Sequence, residues 1–388
     1  MNSAYPILIT APRHWQGCLE RELKDLGFTR LQKEAAGFLL AGTLRDAMRL
    51  NLALRTAHHV MLRLKEFTCR DAEDLYREIK TIPWEDYIDA AGYFSVFSNV
   101  SNPTINDTRF PNLKVKDAIA DRILSACGQR PDSGPMRERT MVYLYWKDDY
   151  ACVYLDTSGE TLSKRGWRTL GLEAPLQEAL AAGLIMTSDW DPATNFVNPM
   201  CGSGTLVIEA ALAGMNQPAG LTRKNFAFMH IKGYDAKIWE ELKQAAHKKM
   251  KKSPVARFIA TDHSPAAIDA AKKNAEAAGV DRFIEFKICD FRQTPLPGPA
   301  GTLIVNPEYG RRLGDEKQLQ AVYQGLGDFF KKNQHNYACW LLCGNLKLLK
   351  QIGLKPAKEL TFYNGGIECR FNEYTRKNLP RRFPSGQV

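Results

Sequence analysis

The chain has 388 residues, is 25% charged and carries a formal net charge of +10. That length exceeds the ~250–300 residues at which a single core stops growing, so two or three domains are expected. No apolar run approaches the ~20 residues of a membrane span, and the start "MNSAYPILITAPRHW" lacks the basic and long apolar regions of a secretory signal, so a cytoplasmic protein is expected.

Charge is unevenly placed: Lys+Arg stand against Asp+Glu at 24 to 22 in residues 1–170 and at 29 to 21 in residues 171–388. The basic excess of the second half favours a polyanionic partner, although plain solubility also accounts for it. Nine cysteines are scattered, mostly within apolar segments and never as CxxC, so they read as reduced buried thiols with no metal site.

The first half opens with the strand "YPILIT", a helix in "HWQGCLERELKDLGF" whose Leu19, Leu23 and Leu26 recur at helical spacing, and the strand "FLLAG". Residues 43–66 read as an amphipathic helix and a short strand. One helix through "AEDLYREIKTIPWEDYI", the strand "YFSVFSNVS" and a helix in "LKVKDAIADRILSACG" follow. Then comes the hairpin "RTMVYLYWKDDYACVYLDTSG", turning at Lys147-Asp148-Asp149. Strands and helices mix without a long parallel run, which predicts an α+β module. Glycine, proline and basic residues in "GETLSKRGWRTLGLEAP" mark a linker, centred on 166–174.

After it the pattern alternates. The helix "LQEALAAGLIM" leads into "TNFVNPMCGSGTLVIEAALAGM", a strand, glycine turn and helix. A Lys-rich helical insertion precedes "ARFIATDHS", a helix, "RFIEFKICD", "GTLIVNPEYG", another helix and "YACWLLCGN". Such alternation predicts an α/β fold with a doubly wound, mostly parallel sheet and ligands at the carboxyl ends of its strands. The tail "RKNLPRRFPSGQV" reads as a frayed basic end. Residue 388 falls soon after the last expected strand, so no second catalytic domain is expected to follow.

Asn198-Pro199-Met200-Cys201-Gly202-Ser203-Gly204-Thr205 joins a strand to a helix. Glycines there let the backbone approach a ligand, and helix amides near Thr205 offer donors to an anionic group; an ordinary strand-to-helix turn is the bland alternative. Asp262 ends the next strand, where a carboxylate can accept ribose hydroxyls, and Asp290 ends the third, where it can accept from an adenine amine while Phe291 packs on the ring. Either acid alone could be a helix cap. Together with "NPEY" at a fourth strand end they form a set. A dinucleotide fingerprint would need glycine where Val207 stands, and no Gly-Lys-Ser/Thr closes a phosphate loop. An adenosine cofactor without a pyrophosphate remains, and S-adenosylmethionine fits.

The order "NPMCGSGT", "ATDHS", "KICDF" and "LIVNPEYG" resembles class I methyltransferases that modify exocyclic amines of nucleobases. The first half resembles a THUMP domain behind a ferredoxin-like element, through "DTRFPNLKVKDAIADRI" and "LDTSGETLSKRGWR". Together they resemble the THUMP-bearing RNA methyltransferases, in particular the guanine-N2 half of the bifunctional bacterial 23S rRNA enzyme. The resemblance implies a ferredoxin-like element at 1–55, a THUMP-like RNA-binding domain at 56–165, a linker at 166–174 and a Rossmann-like, seven-stranded methyltransferase domain at 175–388. It also implies that Asn198, Pro199, Gly202, Ser203, Gly204 and Thr205 hold the methionine part of S-adenosylmethionine, Asp262 with His263 the ribose, and Asp290 with Phe291 the adenine. Asn306 and the Pro307 carbonyl would accept from the target amine, and Tyr309 would stack on the base.

Two acceptors at a delocalised amine hold it toward a sulfonium methyl and favour its increasingly positive transition state, so no strong base is required. The base must be unpaired or flipped out to reach such a pocket. Arg109, Lys114, Lys116, Lys164, Arg165 and Arg168, with Trp167 interleaved, are the candidate phosphate contacts; a solvated helix and a polar linker are their bland alternative. "HKKMKK" (247–252) reads as a cationic helix C-terminus. Glu308 stands where the family has a second proline, and it could pair with Arg311 or Arg312, accept from guanine, or weaken the enzyme. Methylation of large-subunit ribosomal RNA at guanine N2 is the expected function. Its rivals are the same chemistry on transfer RNA, adenine-N6 methylation of DNA, and a non-catalytic RNA-binding or assembly protein.

Overall fold

The computed structural model describes residues 4–105, 107, 109–170, 176–309 and 316–375, with Arg13 and Glu316 described by backbone alone. It divides into two compact units, Met1–Leu162 with Arg223–Ala245, and Ser163–Thr222 with Ala246–Val388.

In the first unit β1 (Tyr5–Thr10), α1 (Gln16–Asp25), β2 (Gln32–Glu34), β3 (Gly37–Gly42), α2 (Leu44–Ala53) and β4 (His59–Thr68) come first. Then follow α3 (Ala72–Lys80), β5 (Tyr93–Ser101), α4 (Arg109–Cys127), β6 (Asp132–Ser133), β7 (Thr140–Lys147) and β8 (Tyr150–Asp156). All eight strands join one sheet in the order β2-β3-β1-β4-β8-β7-β5-β6. The strand expected to be short is the ten-residue β4, which pairs with β1 on one side and β8 on the other and so makes a single sheet of both modules. Alternation decides which face is covered: Val142, Leu144 and Trp146 of β7 are fully buried while Tyr143 and Tyr145 between them are half-buried.

Thr43 and Asp46 form a reciprocal cap that starts α2. The single helix expected across "AEDLYREIKTIPWEDYI" stops at Lys80, and a 3-10 turn takes Trp84–Asp86. Pro83 causes the break, since it has no N–H to give and disfavours helix in the residue before it.

Residues 223–245 group with the first unit rather than with the alternating strands and helices around them in sequence. Arg223 donates to the carbonyls of Ser158, Glu160 and Thr161, Phe226 and Phe228 stack at 5.0 Å, and Trp239 meets both rings edge-on.

The second unit contains α5 (Glu178–Thr187), β9 (Asn195–Pro199), α6 (Thr205–Gly214), the end of α7 (Ala236–Lys249), β10 (Phe258–Asp262), α8 (Pro265–Ala278) and β11 (Ile284–Ile288). It continues with β12 (Gly301–Val305), α9 (Glu316–Asn333), β13 (Tyr337–Cys343), α10 (Leu346–Leu349), β14 (Lys358–Asn364) and β15 (Ile367–Tyr374). Its seven-stranded sheet runs β11-β10-β9-β12-β13-β15-β14. Five strands are parallel, and the β14–β15 hairpin adds an antiparallel edge. β9, β10 and β12 are buried at every position, as strands covered on both faces should be. Seven cysteines are buried, Cys289 is half-buried and Cys127 is exposed, so the expectation of uniformly buried thiols fails at α4's last residue. Among the described residues no helix is long and apolar enough to cross a membrane.

Candidate active site

The strand order of the second unit reverses beside β9, with β10 and β11 extending the sheet on one side and β12 and β13 on the other. In such sheets ligands bind outside the carboxyl ends of the strands at the reversal. Register sets Pro199 beside Thr261, Asp262 beside Ile288 and Val197 beside Leu303, so four carboxyl ends share one edge. Asn198 ties the two sides together. Its Nδ2 donates to the Ile304 carbonyl at 2.9 Å, while its buried Oδ1 has no hydrogen-bond partner among the described residues. A buried carbonyl oxygen left unmatched is costly, and a ligand donor would relieve it.

The turn after β9 places Met200, Gly202 and Gly204 at φ of +53°, +53° and +82° before α6 begins. At Gly204 a Cβ would stand 2.9 Å from the Cβ of Ala271, so both backbone and neighbour demand glycine. Gly202 differs: nothing lies within 4 Å of where its Cβ would be, and its face is open to a ligand. The Gly202 amide donates to Asp262 Oδ2 and the Ser264 amide to Oδ1, each at 3.0 Å, which aims a carboxylate at the turn with a second lone pair on each oxygen. His263 is exposed, with Nδ1 3.4 Å from Asp262 Oδ1. Burial and the Asp262 carboxylate push the Cys201 thiol up, so it stays protonated and is no nucleophile.

Asp290 caps the 3-10 turn Phe291–Gln293 and is gripped by the Arg292 fork, with Nε to Oδ1 at 2.7 Å and the second nitrogen to Oδ2 at 2.8 Å. Those hydrogen bonds hold its carboxyl down to about 2. The side chain is therefore a cap that also stays charged. Phe291 is 7% exposed and stands edge-on to Phe329 at 6.0 Å, so part of its ring is held by the core.

Asn306 follows β12 directly. The Tyr309 hydroxyl donates to Asn306 Oδ1 at 2.8 Å and accepts from Asn364 Nδ2 at 3.4 Å. Behind the turn, Asn345 Nδ2 donates to the Tyr309 carbonyl at 3.4 Å and the Tyr323 hydroxyl to the Glu308 carbonyl at 3.3 Å. Pro307 is buried and Glu308 exposed. Burial pushes the Tyr309 phenol up, which keeps it a donor at neutral pH. Its ring is half-buried and seated over Gly344, where a Cβ would come within 3.2 Å of Cδ2. Arg311 and Arg312, the partners of Glu308 in one of its three alternatives, lie outside the described residues. Sequence reasoning missed Tyr323, Asn345 and Asn364. Only Asn345 carried a signal, as an Asn capping "LKLL".

The expected phosphate contacts separate into three groups. Arg165 is 1% exposed and paired with the equally buried Glu209 at 3.3 Å, so it cannot reach RNA. Arg168 is also withdrawn, bonded to Glu178, Ser203, Leu176 and Thr205, beside the fully buried Trp167. Lys114 is paired with Glu73 at 2.7 Å and Arg109 with Asp107 at 2.9 Å, while Lys116 is half-buried and Lys164 exposed. Among the described residues no group of three His, Cys, Asp or Glu is placed to hold a metal.

Residues 165–373, more than half of the chain, match the family described as RMKL-like, methyltransferase domain. The chain belongs to this methyltransferase family. Its earlier residues match the RlmL ferredoxin-like domain over 6–61 and the THUMP domain over 69–156. A curated relative from Psychromonas ingrahamii, named ribosomal RNA large subunit methyltransferase K/L, is 38% identical over 92% of this chain and 48% of its own length. The chain spans about half the length of the curated relatives it matches. Among solved structures, SMU.472 complexed with SAH superposes with a TM-score of 0.88 at 27% identity, covering 98% of this methyltransferase and all of that chain. A Listeria monocytogenes structure, described as a predicted N6-adenine-specific DNA methylase, gives 0.87 at 26% identity over 96% and 97%.

Proposed function

We propose that this methyltransferase moves the methyl group of S-adenosylmethionine onto the exocyclic N2 amine of a guanine in RNA, with 23S ribosomal RNA as substrate. One observation carries the reading: the Asn306 carbonyl oxygen stands at the carboxyl end of β12, the strand that Asn198 bonds to the glycine-turn strand β9 at the sheet's reversal. The THUMP domain supports RNA over DNA, and the names of the curated relatives support the ribosomal large subunit. The SAH in SMU.472, the demethylated form of the cofactor, supports the cofactor.

The residues present fit that cofactor. Asn198 Oδ1 offers an acceptor to an ammonium, Gly202 an open backbone face, α6 its first amides to a carboxylate, Asp262 acceptors to a ribose and Asp290 an acceptor to an adenine amine. When bound, S-adenosylmethionine supplies an electrophilic methyl on a sulfonium. Asn306 Oδ1 keeps one lone pair beyond the bond from Tyr309, and with the Pro307 carbonyl it draws on the two amine hydrogens of the base. Those contacts strengthen as the nitrogen becomes positive, so they lower the barrier rather than merely bind. Tyr309, locked by Asn364 and Asn345, fixes the plane of the Asn306 amide and offers its half-buried ring to the base. The proton leaves after transfer, when the amine is acidic, so water suffices as acceptor.

Methyl transfer from labelled cofactor to unmodified ribosomal RNA tests the reading. Asn306→Ala should lose about 10²-fold or more in rate, the scale on which one transition-state hydrogen bond acts. Equal incorporation by the variant and the wild type would contradict the assignment.

A further inference from the structure

The glycine turn is held from behind by residues outside its own motif. The chain enters the second unit through Ser163–Leu170, and that segment is bonded to the turn and to α8. Among the described residues Arg168 makes four hydrogen bonds: Nε to Glu178 Oε1 at 2.8 Å, one terminal nitrogen to Ser203 Oγ at 3.1 Å, and the other to the Leu176 carbonyl at 2.9 Å and Thr205 Oγ1 at 3.0 Å. Asn274 of α8 is fully buried. Its Oδ1 accepts from the Thr169 and Leu170 amides at 2.9 and 3.1 Å, and its Nδ2 donates to the carbonyls of Leu170 at 3.0 Å and Ser203 at 3.1 Å. One turn earlier on α8, Ala271 is the residue on which Gly204 rests.

We propose that Arg168 and Asn274 are positioning residues that set the 198–205 turn in its cofactor-binding form; this rests on the cofactor reading above. Guanidinium is a donor only, so Ser203 Oγ and Thr205 Oγ1 must act toward it as acceptors. Each hydroxyl hydrogen is thereby turned away from Arg168 and made available to an anionic group at the turn. The cation also lies at the N-terminus of α6, where the helix dipole favours an anion, and Glu178 shares its charge without cancelling it there. Asn274 does the complementary work on the backbone, fixing the Ser203 carbonyl and with it the path of the turn. Both residues act through the turn, and neither is assigned a contact with the reacting atoms.

The test uses the full chain, S-adenosylhomocysteine as calorimetric probe, a fluorescent RNA fragment for affinity, and steady-state rates. Arg168→Gln and Asn274→Asp should raise the S-adenosylhomocysteine Kd and the cofactor KM tenfold or more. RNA affinity should change less than twofold, and kcat at saturating cofactor should fall less than threefold. Arg168→Lys, which keeps the charge and can still reach a hydroxyl, should recover part of the cofactor affinity. If Arg168→Gln does not fold, Arg168→Lys decides alone: a raised cofactor KM at near-normal kcat supports the proposal, and a wild-type KM overturns it. Weaker RNA binding, with its salt slope reduced by about 1 and cofactor binding intact, would make Arg168 a phosphate contact and overturn it. So would equal loss in the Gln and Lys variants that tracks their unfolded fraction. Failure of the wild type to bind S-adenosylhomocysteine at all would instead bring down the cofactor reading beneath it.

Discussion

Arg165 and Glu209 form an ion pair whose side chains are 1% and 0% exposed, with Nε 3.3 Å from Oε1. Glu209→Ala leaves a guanidinium buried without its carboxylate, and breaking such a pair by removing one partner costs ~3–5 kcal/mol. For a unit of this size, at ~2–4 °C per kcal/mol, the melting temperature should fall by roughly 6–20 °C. Removing both charges behaves differently. Arg165→Met with Glu209→Leu abolishes both desolvation penalties, so the double variant should regain most of the loss and melt within roughly 5 °C of the wild type. Scanning calorimetry, with tryptophan fluorescence in urea as a second probe, measures the effect; Trp167, fully buried two residues from Arg165, lies in the segment at stake. An RNA titration runs in parallel. The reasoning is refuted if Arg165→Met melts with the wild type while binding RNA more weakly and with a smaller salt slope, since Arg165 would then be the phosphate contact its sequence suggested.

Gly204→Ala should destabilise by about 1–3 kcal/mol, because φ is +82° and the new Cβ meets Ala271 at 2.9 Å, whereas Gly202→Ala should cost about 1 kcal/mol in stability. The Gly202 variant should nevertheless weaken S-adenosylhomocysteine binding at least tenfold in calorimetry, because its Cβ occupies the open face; unchanged affinity would remove that face from the site. Tyr309→Phe keeps the ring and loses the bond to Asn306, so kcat should fall several-fold at unchanged RNA affinity, and Tyr309→Ala should lower both. In the first unit, burial opposes protonation of His59, but Asp156 at 2.8 Å outweighs it and raises the imidazole above its ordinary value, with Arg137 and Arg223 acting against. The protonated pair should therefore stabilise fully below pH ~6.5 and lose that contribution as pH rises through the folded value. Urea midpoints from about pH 5 to 9 should fall more steeply for the wild type than for His59→Gln, and parallel curves would contradict the sign.

The alternation of the second half made its parallel sheet readable, because β9, β10 and β12 are buried at every position and carry the short apolar runs Phe196-Val197, Phe258-Ile259-Ala260 and Leu303-Ile304-Val305. The strand ends were legible for the same reason: Asp262 and Asn306 stand just past those runs. Supports from distant chain positions were not legible. Asn274, Asn345 and Asn364 look like any polar residues near helix or strand ends, and only the fold brings them to Ser203 and Tyr309. Arg165 and Arg168 misled because a basic cluster between periodic segments reads as solvated, while their acceptors, Glu209 and Glu178, lie 44 and 10 residues away. The place of 223–245 was hidden likewise, since Arg223 joins it to the carbonyls of Ser158, Glu160 and Thr161, far earlier in sequence.

The central claim is the transfer of a methyl group to guanine N2 in ribosomal RNA, and mass spectrometry of digested nucleosides tests it most directly. Purified protein, labelled S-adenosylmethionine and unmodified 23S ribosomal RNA, transfer RNA and DNA are incubated separately with the wild type and with Asn306→Ala. The account predicts labelled N2-methylguanosine from the ribosomal RNA alone, and with the wild type alone. Label in N6-methyladenine from DNA, in transfer RNA, or in no nucleoside at all would contradict it.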